Sequence, residues 1–414
     1  MPSASAFLAI SAAVGSALAQ RVPAAAQIVD QKTFNVLENV PPPAVANDST
    51  LFVWPGVTEE SLLAKPFHIY DEEFYDVIGS NPSLTQIASS ESDPIFHEAV
   101  TWYPARDEVF FVQNAGAPAA GTGLNKSSII QKISLADAEK VRNGTLKAAP
   151  VTIVNTTNPQ VINPNGGTNY KGNIIFAGEG QGDNVPSALY VMNPEAPYNT
   201  TSKYYRTNIN PRLTVLALIN NYFGRQFNSL NDLVVSPKNG DLYFTDTLYG
   251  YLQDFRPVPG MRNQVYRYNF KTGAITVVAD DFTLPNGVTI SPDGNKAYVT
   301  DTGIALGFYG RNLSSPASLY SFDIAKDGTW ENRKTFAYVP AFIPDGVHTD
   351  SKGRVYTGAG DGVWVYNTSG KLIGKIYTGT VAANFQFAGK GRMVVTGQTK
   401  LFYVTLAASG APIQ

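Results

Sequence analysis

From about residue 90 onward, apolar positions fall in short runs broken by Gly, Asn, Asp or Pro, the pattern of short strands joined by tight turns. The runs repeat as a unit: a polar head, an apolar strand, a turn and a second apolar strand. Glu98-Ala-Val-Thr-Trp102 leads to Val109-Phe-Phe-Val112, and Asn165-Gly-Gly-Thr leads to Ile174-Ile-Phe-Ala-Gly178. Asn231-Asp-Leu-Val-Val235 leads to Leu242-Tyr-Phe-Thr-Asp246, and Asn286-Gly-Val-Thr-Ile290 to Ala297-Tyr-Val-Thr-Asp301. Asp345-Gly-Val-His-Thr349 leads to Val355-Tyr-Thr-Gly358, and Asn384-Phe-Gln-Phe387 to Met393-Val-Val-Thr-Gly397. Several units add a third strand with alternating aromatics, such as Gln264-Val-Tyr-Arg-Tyr268 and Ser318-Leu-Tyr-Ser-Phe322.

Each unit reads as one four-stranded antiparallel blade, and the heads recur roughly 40 to 67 residues apart, the spacing of blades with loop insertions. Six heads predict an all-β, six-bladed β-propeller over residues 51–414. A β-sandwich is the alternative, but it leaves the regular polar heads unexplained. Propellers close their ring with a strand from the other terminus, and Pro66-Phe-His-Ile-Tyr-Asp-Glu-Glu-Phe-Tyr-Asp-Val-Ile78 is the segment expected to supply outer strands to the last blade.

The N-terminal region reads differently. Phe7 to Leu18 is almost wholly small or apolar and ends in Ala17-Leu18-Ala19, a small-x-small cleavage pattern. Residues 1–19 are therefore expected to be a signal peptide, too short to span a bilayer. Residues 20–50, rich in Ala, Pro and Val, read as an extended arm that offers a homodimer interface. Sequons begin at Asn47, Asn125, Asn143, Asn155, Asn199, Asn312 and Asn367, so a secreted, extracellular glycoprotein is expected. The chain of 414 residues has 15% charged residues, a net charge of −2 and no cysteine. That balance carries no signal of nucleic-acid or membrane binding, and it excludes thiolate chemistry.

If each head begins the innermost strand of its blade, Glu98, Asn165, Asn231, Asn286, Asp345 and Asn384 converge at one end of the central channel. Asn-Gly and Asp-Gly are also ordinary turn dipeptides, but their recurrence at one place in the repeat favours a ring. Two carboxylates among amides, without thiols, form a hard-oxygen set suited to Ca²⁺, which makes a central calcium site the expected cofactor site.

With these motifs in place, the chain resembles the family of gluconolactonases and senescence-marker proteins, and more distantly the paraoxonases and squid-type phosphotriesterases. A narrower resemblance is to fungal lactonohydrolases, carried by Asn114-Ala-Gly-Ala-Pro-Ala-Ala-Gly and Phe176-Ala-Gly-Glu179-Gly-Gln-Gly. The family resemblance implies Glu98, Asn231, Asn286 and Asp345 as metal ligands. It implies hydrolysis of small hydroxylated lactones of the aldonolactone or D-pantolactone type, with Asp345 in both metal binding and base chemistry. A phosphotriesterase, a non-enzymatic calcium-stabilised binding propeller and a strictosidine-synthase-like propeller without the ring are the competing readings.

His97 and His348 are further catalytic candidates because each lies close to an expected ligand. Strand alternation aims neighbours one or three residues apart to opposite sides, which argues against both unless the strand starts in a turn or bulge. Asn165, Glu179 and Asn231 are candidate substrate contacts, and Asp232 is a carboxylate placed to orient Asn231. Asn165 stands where the paraoxonase resemblance would put a histidine. No G-x-S-x-G elbow is present, so direct attack by water is expected rather than an acyl-enzyme.

Overall fold

The computed structural model describes residues 22–40, 52–114, 128–156, 160–201, 217–389 and 391–414. The signal-peptide segment, the sequons at Asn47 and Asn125 and most of the motif after Asn114 lie outside the described residues. Six sheets form six blades, five of four strands and one of six. The innermost strands are Glu98–Tyr103, Pro164–Tyr170, Leu230–Val235, Pro285–Ile290, Val347–Thr349 and Asn384–Phe387, so every predicted unit is a blade. Among the described residues no helix is long and apolar enough to cross a membrane.

The second strand of each blade is buried on both faces, and the reason lies in the ring. Successive side chains on a strand point to opposite sides, and in a propeller both sides meet a neighbouring blade. Phe110 packs toward the second blade with Ile174 and Phe176, whereas Phe111 packs toward the sixth with Val394 and Leu401. Tyr243 joins Val299 of the fourth blade, while Phe244 joins Ile175 and Ala177 of the second. Runs such as Val-Phe-Phe-Val and Leu-Tyr-Phe therefore fill two inter-blade cores at once. Burying one such side chain stabilises by about 1.5–3 kcal/mol.

Ring closure differs from the expectation. The last blade is completed by Ser83–Ser89, which pairs with Lys400–Thr405. The segment at 66–78 goes instead to the fifth blade, where Phe67–Ile69 pairs with Leu372–Tyr377. Shape decides this: the Phe74 ring occupies the place a side chain would take on Gly374 (2.3 Å from a built Cβ). The arm then adds Ala26–Ile28, parallel to Phe67–Ile69, with Ala26 in the same core. The described part of the arm is thus docked on its own propeller.

Candidate active site

The first four inner strands share a local device. Each has a register shift directly after its head, at Glu98/Thr101, Pro164/Gly167, Leu230/Leu233 and Pro285/Val288. A β-bulge breaks strict alternation and re-aims the side chains beside it. In the first blade Ala99 takes the left-handed conformation (φ 53°), and both His97 and Glu98 line one cleft. The alternation argument against His97 therefore fails at this strand.

The glycines after the heads are not turn formers. A Cβ on Gly166 would lie 2.3 Å from the Asn231 carbonyl oxygen, one on Gly287 2.5 Å from that of Asp345, and one on Gly346 2.8 Å from Asn384 Cγ. Glycine lets each head lie against the head of the next blade. Threonines at the ends of the second strands complete the stitching: Thr245 Oγ1 donates to the Asn286 carbonyl and Thr300 Oγ1 to that of Asp345, both at 2.8 Å. Thr396 Oγ1 donates to the His97 carbonyl at 2.6 Å and so closes the ring. Asp246 and Asp301 brace the entry loops by accepting backbone N–H bonds from residues 228–229 and 283–284.

The cleft holds about 280 Å³, and five of the six heads line it: Glu98, Asn165, Asn231, Asn286 and Asp345. The sixth, Asn384, lies behind Glu98 and donates from Nδ2 to Glu98 Oε2 at 2.6 Å. Burial, then the Asp345 charge, hold the Glu98 carboxyl well above the usual carboxylate range. Asp345 is raised by burial and then by Asp232. Two atoms are unusual: Asn231 Oδ1 and Asp345 Oδ1 are buried without a hydrogen-bond partner. Buried unpaired acceptors are costly and call for an explanation. Facing carboxylates and amide oxygens, they form a donor set that fits a hard, oxygen-seeking cation. Among the described residues no three His, Asp or Glu side chains cluster in metal-binding geometry. The set has only two carboxylates, and amides supply the remainder.

Glu179 lines the cleft and accepts from Ser229 Oγ at 2.7 Å. Asn165 Nδ2 donates to the Asn231 carbonyl at a long 3.4 Å. Asp232 acts on the next blade: its Oδ2 accepts from the Val288 N–H at 2.9 Å, just past the bulge there. Burial pushes its carboxyl up to about 7. His97 is held by its backbone N–H to the Val112 carbonyl and by Nδ1, 3.1 Å from Gln398 Nε2.

His348 is not part of this cleft. It lines a separate cavity of about 70 Å³ with the distal ends of the inner strands and residues 411–414. Its ring packs edge-on against Phe385, and burial lowers its pKa to about 4. The strand runs down the channel from Asp345, so three residues carry the imidazole toward the other end. Tyr249, Gln253, Arg311, Phe342 and Gln398 line the cleft and escaped sequence reasoning. For Tyr249, Gln253 and Arg311 the signal was the length of the connections at 247–263 and 302–317, between the second and third strands of their blades. Arg311 stacks on Phe342, 4.6 Å from its ring centroid.

Residues 199–399 match the SMP-30/gluconolactonase/LRE-like region. Lactonohydrolase oryL of Aspergillus oryzae is 27% identical over 339 residues, covering 76% of this chain and 68% of that protein. Among solved structures, a gluconolactonase from Xanthomonas campestris superposes with a TM-score of 0.59 at 21% identity, over 82% of this chain and 94% of the other. Regucalcin from Agrobacterium tumefaciens, a calcium-binding protein, does so with a TM-score of 0.52 at 15% identity, over 80% and 96%. With its six blades, its ring of heads and this matched region, the chain carries an SMP-30/gluconolactonase-like domain.

Proposed function

We propose that this protein is a calcium-dependent lactonase that opens small hydroxylated lactones to hydroxy acids. The observation that carries the reading is the convergence of Glu98 and Asp345 on one cleft floor with two unpaired buried oxygens, Asn231 Oδ1 and Asp345 Oδ1. Glu98, Asn231, Asn286 and Asp345 would hold the cation, and the lactonohydrolase and gluconolactonase relatives support the substrate class. When bound, the ion supplies Lewis-acid polarisation of a carbonyl oxygen.

The remaining work falls to side chains. Asp345, with Oδ1 unpaired, takes a proton from the attacking water. The water oxygen bonds to the carbonyl carbon, the ring C–O bond breaks, and the departing alkoxide takes up a proton. His97, fixed by Gln398, is the imidazole in the cleft; its ring gives a proton to the alkoxide and is reprotonated from solvent, to which Asp345 releases the proton it took. Asn384 keeps Glu98 in place, while Asn165 and Glu179 contact the substrate. The test is acid release from a lactone panel by metal-depleted protein, with and without added Ca²⁺. Calcium-restored turnover is expected, and full turnover in chelator would refute the metal role.

The leader at 1–19 and the sequons support secretion with N-glycans. Asn143, Asn155, Asn199 and Asn312 are exposed, whereas Asn367 is half-buried and donates to Glu73 Oε1 at 2.9 Å. A mature N-terminus near Gln20 and a mass loss on N-glycanase treatment are expected. Secreted protein that starts at Met1, or an unchanged mass, would contradict them.

A further inference from the structure

One wall of the cleft is a single helical turn, Tyr249–Leu252, with the residue after it, Gln253. Tyr249 and Gln253 are four positions apart, which sets them on one side of the turn. The Tyr249 hydroxyl lies 2.6 Å from Thr302 Oγ1 and 3.4 Å from the Ala305 carbonyl oxygen. Thr302 is fully buried, and its hydroxyl lies 3.0 Å from the Leu284 carbonyl oxygen.

Each hydroxyl owns one proton, so the short Tyr249–Thr302 contact is filled by one hydroxyl or the other. If Thr302 donates to Leu284, Tyr249 donates to Thr302. If Thr302 donates to Tyr249, the Leu284 carbonyl loses this hydroxyl, and the phenol proton is left for Ala305 across the long contact or for the cleft. The first keeps two short bonds and prevails, and it spends the Tyr249 proton inside the protein. What the phenol offers the cleft is lone pairs. Beside it, Gln253 Oε1 is a second buried acceptor with no partner.

We propose that Tyr249 and Gln253 form a hydroxyl-recognition subsite that accepts O–H groups of the substrate, with Thr302 as the positioning residue that turns the phenol proton inward. The proposal rests on the reading of the cleft as a lactone site and names which side chains select for hydroxylation. It also denies Tyr249 the role of oxyanion donor. A ring hydroxyl finds an acceptor at this wall, whereas a carbonyl or ring ether oxygen finds no proton at the phenol.

The experiment compares kcat/KM for a hydroxyl-bearing lactone and its deoxy analogue of equal ring size, in wild type, Tyr249→Phe and Thr302→Val. Sites built to pair a substrate hydroxyl discriminate strongly against analogues that lack it. The hydroxyl-to-deoxy ratio is expected to fall about tenfold in Tyr249→Phe, and in the same direction in Thr302→Val, which keeps the phenol but frees its proton. An unchanged ratio in both variants overturns the subsite while leaving the lactonase reading intact. A wild type inactive on every lactone overturns that reading, and the subsite with it. Should Tyr249→Phe fold poorly by its melting temperature, Gln253→Leu decides by the same ratio: a fall supports the subsite, and no change refutes it.

Discussion

The two ends of the channel are built by the same inner strands, yet they are chemically unlike. At the upper end four of the six inner strands begin with bulges, and their heads, with Asp345, crowd carboxylates and amides around a cleft of about 280 Å³. At the lower end they run in regular register past small hydroxyl and aliphatic side chains to a cavity of about 70 Å³, where His348 meets residues 411–414. The difference shows that the starts of the inner strands, four of them bulged, gather the polar heads on the axis. Regular pleating sends alternate side chains to the inter-blade cores instead.

The largest expected effect comes from removing charge at the upper end. Glu98→Gln and Asp345→Asn should each lower kcat/KM by about 10²–10³-fold or more, the range seen when one preorganised electrostatic contact is lost. Steady-state kinetics at saturating Ca²⁺ checks this, and a variant within threefold of wild type would break the contrast between the ends.

Next come the glycines that let the heads meet. Gly287→Ala places a methyl 2.5 Å from the Asp345 carbonyl oxygen, and backbone cannot swing away as a flexible side chain can. A loss of about 1–3 kcal/mol is expected, read as a lower denaturation midpoint, together with reduced calcium affinity. Gly172→Ala is a poor comparison because its φ is positive (77°), but Gly260→Ala meets nothing within 4 Å and serves as the control. Equal destabilisation by both substitutions would show that close approach is not the reason for glycine at 287.

Behind the ring, Asn384→Leu removes the hydrogen bond to Glu98 Oε2. Partners of metal-binding groups typically matter by 10–100-fold, so calcium affinity should weaken by about that much while the fold persists. Unchanged affinity would reduce Asn384 to a spacer.

The smallest effect on catalysis is expected at the lower end. His348→Gln should leave kcat/KM within about twofold, because the imidazole lies outside the cleft. Its effect is on stability. The folded-state pKa near 4 lies below the ordinary 6.5, so between those values the unfolded chain binds more protons. The His348 contribution to stability therefore rises with pH from about 4 to about 6.5 and is lost as pH falls through that window. His348→Gln should flatten this slope in denaturation curves recorded across the range, and an identical slope would contradict the assignment.

Much of this was legible in the chain because it is carried by repetition. The polar heads, the doubly apolar second strands and the terminal threonines recur in register, and each recurs for a physical reason. The bulges were not legible: nothing in Glu98-Ala-Val-Thr marks Ala99 for a positive φ, so the odd spacing of His97 from the ring looked like evidence against it. The role of Asn-Gly and Asp-Gly was also hidden, since close approach and tight turns demand the same residue. Ring closure by Ser83–Ser89 rather than 66–78 turned on a shape match between Phe74 and Gly374, two residues 300 positions apart. Tyr249 and Gln253 sit in a connection with no repeat to flag it.

The central claim is that the heads of the inner strands hold a hard cation. Isothermal titration of Ca²⁺ into metal-depleted wild type, Glu98→Gln and Asp345→Asn tests it most directly, since it needs no substrate. One equivalent bound by wild type, with affinity lost or sharply reduced in both variants, is the predicted result. Undiminished binding in either variant, or no binding in wild type, would contradict the account.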